Sequence, residues 1–185
     1  MPPRFPLPSD DDLDEASREI LANLPPLNVF RMVGWRPRAL RPFLQLGGSI
    51  LGDELIEARV REAAILRVAH ITGASYEWAQ HEQIGRGVGL GDAEIEALRS
   101  VDPSAALGAD EALAARVAEE ISREVRLSDE ALGLLVDRYG PQGAASLILC
   151  ASYYNMVSRF LESTRVELEA DENAIDALAG LTKPR

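Results

Sequence analysis

Between Glu54 and Thr72 the chain carries its longest clean helical pattern before the middle of the sequence, and Gly73 stops it. Apolar residues there recur three and four positions apart, the spacing of one helical face. Helical signals of the same kind dominate the other segments, and none alternates with period two, so no strand is expected. The chain must then bury its core helix against helix, as an all-α multi-helix bundle. Its 185 residues suit one compact domain or a core with extended ends, and 46% hydrophobic residues supply that core.

Glycine, proline and capping residues divide the rest. Ser9 and the aspartates after it cap a first helix through about Asn23, which Pro25-Pro26 ends. Asn28 to Trp35 forms a short helix, and Pro37 opens another that runs to about Leu46 and closes at Gly47-Gly48. Tyr76 to Arg86 is a helix closed by Gly87 and Gly89, followed by a shorter one from Asp92 to Arg99. Beyond a Pro103/Gly108 loop, helices run from Asp110 to Glu124, from Asp129 to Tyr139 with Ser128 as cap, and from Pro141 to Thr164. The acidic tail after Val166 holds a short helix around Asn173 to Ala179. The expected organisation is an N-terminal extension with a capping helix over residues 1–24, a core over 25–165 and an acidic arm over 166–185.

Charge and composition narrow the function. A net charge of −11 repels polyanions, which sets nucleic acid aside as a partner. A small anionic substrate would need nearby cations, and Arg59, Arg61 and Arg67 are the suppliers in sequence. The basic stretch of Arg31, Arg36, Arg38 and Arg41 reads as a solvated helix face. No apolar run approaches the roughly 18–20 residues of a bilayer crossing. The proline-rich start lacks a signal peptide's apolar centre, so a cytoplasmic protein without a membrane partner is expected. Cys150 is the only cysteine; it cannot form a CxxC pair and reads as a buried small hydrophobe.

Two helices carry polar groups where a plain core has none. Glu62 shares a face with Ala58, Ile65, Leu66 and Ala69, so it points at the core, with Glu57, Arg61 and Val68 around the other side. Glu77 and His81 are four residues apart and stack on one stripe with Ile84 and Val88. The Gly73 break favours antiparallel packing, which brings Glu62 against His81. Three titratable groups then converge in a partly dry site, the setting of acid/base catalysis. The spacing alone equally suits a solvated Glu–His contact or a buried Glu62 paired with an arginine. Only His70 and His81 are available as imidazoles, and His70 lies about 80° around its helix from Glu62, so no metal site is expected. His70 reads as an interface or surface residue, and Trp78, about 100° from Glu77, packs on another helix or subunit.

The stretch Arg61-Glu62-Ala63-Ala64-Ile65-Leu66-Arg67-Val68-Ala69, then Gly73-Ala74-Ser75-Tyr76-Glu77-Trp78-Ala79-Gln80-His81 and Gly89-Leu90, closely resembles the core of the carboxymuconolactone decarboxylase family. Asn28-Val29-Phe30 and Tyr153-Tyr154-Asn155-Met156-Val157 extend the resemblance over roughly residues 25–165. It implies an alkylhydroperoxidase D-like helical fold and homo-oligomers, commonly trimers or hexamers. The thiol-peroxidase branch of that superfamily places a CxxC pair between a glutamate and a histidine that match Glu62 and His81. Ala74 and Glu77 stand at the two cysteine positions here, so the residues do not support a peroxidase.

The decarboxylase branch implies loss of CO2 from a lactone acid and protonation of the resulting anion, without a cofactor, in aromatic catabolism. The expected site is Glu77 and His81 handling the proton, with Glu62 orienting His81. Tyr76, Arg59, Asn155 and Arg159 are candidates to contact a small carboxylated or lactone substrate, although Tyr76 could face solvent and Asn155 and Arg159 equally suit helix packing. Peroxide chemistry and a non-catalytic oligomeric binding protein are the alternatives.

Overall fold

The computed structural model describes residues 5–169, and the tail helix expected around Asn173 to Ala179 lies outside them. The described residues are helical with no strand. None of their helices is long and apolar enough to cross a membrane. They divide into two compact units, one running up to Gly52 and resuming at Leu161, the other Asp53–Phe160.

The first unit holds α1 (Glu15–Ala22), α2 (Asn28–Val33) and α3 (Pro37–Leu51). Ser9 caps a single 3-10 turn rather than a long helix, because Asp12 folds back onto the Ser9 N–H and hydroxyl. Asp14 then caps α1 by accepting from the Ser17 N–H at 2.8 Å. α3 does not close at Gly47-Gly48 but continues to Leu51, capped by Gly52. Each interior glycine costs about 1 kcal/mol of helix propensity. Carrying Ile50 into a buried position offsets that cost.

The second unit holds α4 (Ala58–Thr72), α5 (Ser75–Gly87), α6 (Asp92–Ala97), α7 (Ala109–Glu124) and, up to Phe160, α8 (Asp129–Thr164), which is broken at Gly140, where φ is 67° and ψ 175°. α4 is its centre, packed against α7 on one side and α5 on another. Ala63, Leu66 and Ala69 of α4 join Trp78, Leu90, Ile95, Leu98 and Ala115 in one apolar cluster. Every residue from Val60 to Ala69 is buried, including Arg61 and Val68, which the helical wheel placed on an outer side. A wheel assigns one wet face; a helix covered on several sides has none. Arg67 is accommodated there by donating to the Leu98 and Ser100 carbonyls at 2.8 and 2.6 Å and to Glu119.

The turn from α4 to α5 fixes the geometry that matters. Gly73 adopts the left-handed conformation with φ 70°, the Ala74 N–H reaches the Ala69 carbonyl at 2.9 Å, and the Gly73 N–H reaches that of His70 at 3.2 Å. This pair of bonds is a Schellman close, which suits glycine because a side chain is disfavoured at that φ. Farther along α5, Gly85 lets the two helices approach: a Cβ there would sit 3.2 Å from Leu90 Cδ1 and 3.4 Å from Leu66 Cδ1. Gly85 lies one turn beyond His81, on the side of α5 that meets Glu62.

Candidate active site

Glu62 projects from the second turn of α4 and has no exposed surface, while Glu77 and His81 of α5 are 5% and 4% exposed. The three meet. His81 Nδ1 lies 2.6 Å from Glu62 Oε2, and His81 Nε2 lies 3.5 Å from Glu77 Oε1. Each ring nitrogen of one imidazole thus faces a different carboxylate. Arg61 continues the line, its Nε 4.0 Å from Glu62 Oε1. Arginine, glutamate, histidine and glutamate alternate in charge when the imidazole is protonated, so each buried charge has an opposite neighbour.

That arrangement decides the state of His81. Burial pushes an imidazole toward its neutral form, but the Glu62 and Glu77 carboxylates act against it and raise the pKa to about 9. His81 is therefore an imidazolium at neutral pH, its Nδ1–H donating to Glu62 and its Nε2–H turned toward Glu77. Glu77 Oε2 is buried without a hydrogen-bond partner among the described residues, as is Glu62 Oε1. An acceptor so placed beside a charged donor can take or return a proton.

The ring of Tyr154, from α8, closes on the imidazole edge-to-face, with centroids 4.8 Å apart at 86°. Tyr153 lies 5.4 Å from Tyr154 in the same manner. Burial, then the Glu62 and Glu77 charges, keeps the Tyr154 phenol well above its usual pKa, and burial and Glu77 do the same for Tyr153. In sequence both tyrosines fall within the helix from Pro141 to Thr164 and extend the family resemblance, with no assignment to the site. The signal that could have found them is their place on a helix with apolar residues on more than one side, since such a helix must lie against the core.

The other expected residues have other partners. Arg59 donates to Glu111 at 2.6 Å and Glu94 at 2.7 Å, tying α4 to α7 and α6. Asn155 donates to the Ser122 hydroxyl and the Ala151 carbonyl, and Arg159 donates to Asn155. Tyr76 is 3% exposed and does not face solvent, so it belongs to the buried first turn of α5. Cys150 is buried, and desolvation followed by the Glu62 charge pushes its thiol up, away from thiolate chemistry. Trp78 packs into the apolar cluster of this same unit, with the Arg99 guanidinium 3.8 Å from its ring centre. His70 is exposed beside Trp78 and held below its usual pKa by desolvation and then by Arg67, Arg99 and Arg123. Among the described residues no three His, Cys, Asp or Glu side chains form a metal-binding group. A cleft of about 650 Å3 along α7, with Arg116 and Arg123 in its wall, contains none of the trio.

The profile of the carboxymuconolactone decarboxylase family matches residues 37–120. No curated protein matches the sequence. Among solved structures, the chain is similar to an uncharacterized peroxidase-related protein from Ralstonia eutropha JMP134, described as an alkylhydroperoxidase AhpD core. The identity is 14% over 98% of this chain and 97% of that one, with a TM-score of 0.78. A second uncharacterized peroxidase-related protein, from Silicibacter sp. TM1040, is 16% identical over 92% and 94% of the two chains, with a TM-score of 0.76. A cysteine-to-alanine variant of the debrominase Bmp8, in complex with 2,3,4-tribromopyrrole, is 17% identical over 99% of each chain, with a TM-score of 0.68. At these identities the likeness is one of fold.

Proposed function

We propose that the chain, whose residues 37–120 match the carboxymuconolactone decarboxylase family and whose fold is like that of an alkylhydroperoxidase AhpD core, is a cofactor-independent acid/base enzyme acting on a small carboxylated or lactone-like substrate. The observation that carries the reading is His81 held between two buried carboxylates, with alanine and glutamate at the positions of the family's paired thiols.

In a decarboxylation, the bond from the ring carbon to the carboxylate breaks, its electron pair enters a conjugated enolate, CO2 leaves and one proton is added to carbon. His81 Nε2–H is the donor, Glu77 receives or returns the proton as the ring recharges from solvent, and Glu62 keeps the imidazole charged and oriented. The same trio serves a proton shift within a lactone acid, in which the carboxylate is retained. Tyr76 lies at the start of α5, within one turn of Glu77, and is offered as a residue lining the substrate side. Arg59 and Asn155 are engaged within the protein and Arg159 is turned through Nη1 to Asn155, so no substrate contact is placed on them.

The test is turnover of a panel of γ-lactone carboxylic acids, followed by CO2 release and by solvent deuterium entering the product. Replacing His81 by Gln or Glu77 by Gln should lower kcat by about 100-fold or more, the usual contribution of a positioned acid or base. Turnover that survives both substitutions overturns the assignment. So does dithiol-dependent reduction of a hydroperoxide above background, which would put the chain with the thiol peroxidases.

A further inference from the structure

We propose that Tyr154 is a positioning residue for His81, its ring fixing the plane of the imidazole between the two carboxylates. The two polar contacts of His81 run through its two nitrogens, to Glu62 at 2.6 Å and to Glu77 at 3.5 Å. The ring can still turn about the Cβ–Cγ bond that carries it, because the 3.5 Å approach of Glu77 is too long to fix that side. A contact against the ring itself removes the freedom. The Tyr154 ring supplies it, 4.8 Å from the imidazole and nearly perpendicular to it.

Tyr154 is itself locked. It is 4% exposed, braced by Tyr153 at 5.4 Å, and carried on the part of α8 beyond the Gly140 break. The groups that face His81 are thus Glu62 from α4, Glu77 from its own helix and Tyr154 from α8. Arg61 and Cys150 stand behind Glu62, and Tyr153 stands beside Glu77.

The kinetic consequence rests on the acid/base reading above, but the packing itself is read without any substrate. The chain has two histidines, so isotope-labelled imidazoles give two sets of signals, and His70 titrates on the acid side of its usual value while His81 titrates near 9. Tyr154→Phe should leave the His81 titration in place. Tyr154→Leu should split or broaden the imidazole signals, as a ring free to turn does. Tyr153→Leu, which leaves the contacting ring in place, should not.

An unchanged His81 in Tyr154→Leu overturns the proposal, as does a Phe variant that behaves like the Leu variant. If Tyr154→Leu does not fold, the unaltered protein decides: nuclear Overhauser contacts between the Tyr154 ring and the His81 carbon-bound protons must be present, and their absence overturns the proposal. For an active substrate, Tyr154→Leu should reduce kcat about tenfold or more with less change in KM, as misplacement of a reacting group does. Should the imidazole signals change as described while no lactone acid is turned over, the positioning role stands and the enzymatic reading fails.

Discussion

Glu62→Gln keeps the shape of the side chain and removes its charge, so it isolates the electrostatic part of the site. In the native protein His81 rises from an ordinary 6.5 to about 9, against burial that alone would lower it. A shift of that size corresponds to roughly 3 kcal/mol of preference for the charged ring. Because the folded value lies above the unfolded one, the stabilisation is complete below about pH 6.5 and fades as pH rises through 9. Between the two, the native state holds one more proton than the unfolded chain, so unfolding free energy falls by about 1.4 kcal/mol per pH unit.

The clean window is pH 6.5 to 8.5. His70, held below its usual value, contributes with the opposite sign and mainly at and below the acid edge of this window, and the Cys150 thiol and the phenols are held up. Urea denaturation of the native protein across this window should therefore show a drop of about 2 kcal/mol, since the full slope is not reached at either edge. In Glu62→Gln the largest attractive charge is gone, burial prevails over Glu77 alone, and His81 should be neutral at pH 7. The drop should vanish, and the variant should instead lose stability on the acid side as the buried ring is forced to charge. Imidazole NMR on the same samples gives the titration directly. A native His81 that deprotonates at or below 6.5, or native and variant curves of equal slope, would refute the electrostatic account.

Three other outcomes are expected. Arg67→Ala should cost about 3–5 kcal/mol in urea denaturation, because it strands the Leu98 and Ser100 carbonyls and an ion-paired Glu119 around a fully buried gap; a loss under 1 kcal/mol would mean the site collapses around the change. Arg59→Ala should lower stability by about 1–2 kcal/mol through the nearly buried Glu111 it leaves behind, with KM for any active lactone acid unchanged; a large rise in KM would return Arg59 to the substrate site. The double substitution Ala74→Cys with Glu77→Cys should give a thiol pair at the start of α5 that peroxide oxidises to a reducible disulfide, counted by thiol titration; thiols that stay unreactive would show that the helix start does not present them.

The meeting of Glu62 and His81 was legible in the sequence because it needs only two periodicities and one break. Glu62 interrupts an apolar face, His81 and Glu77 share a stripe, and Gly73 turns one helix back on the other. The positions of Arg61 and Val68 were not legible, since a wheel drawn for one helix cannot show that its neighbours cover it on every side. Tyr154 escaped for a related reason. Its contact with His81 joins residues 73 positions apart, and nothing local to either marks the other. Arg59 looked like a free cation in sequence; its two carboxylate partners, Glu94 and Glu111, come from helices that only tertiary packing brings to it. α3 outran its glycines because local propensity is weak beside one buried isoleucine.

The complete burial of α4 bears on how this protein can diversify. Ala63 and Ala64 have no accessible surface and directly follow Glu62, so any larger group there displaces the carboxylate along with the backbone that bears it. A change made in this helix cannot avoid disturbing the contact between Glu62 and His81. Novelty would have to enter from the opening turn of α5 and from α8, which approach His81 from outside that helix. Sequences sharing α4 almost letter for letter could therefore act on quite different molecules.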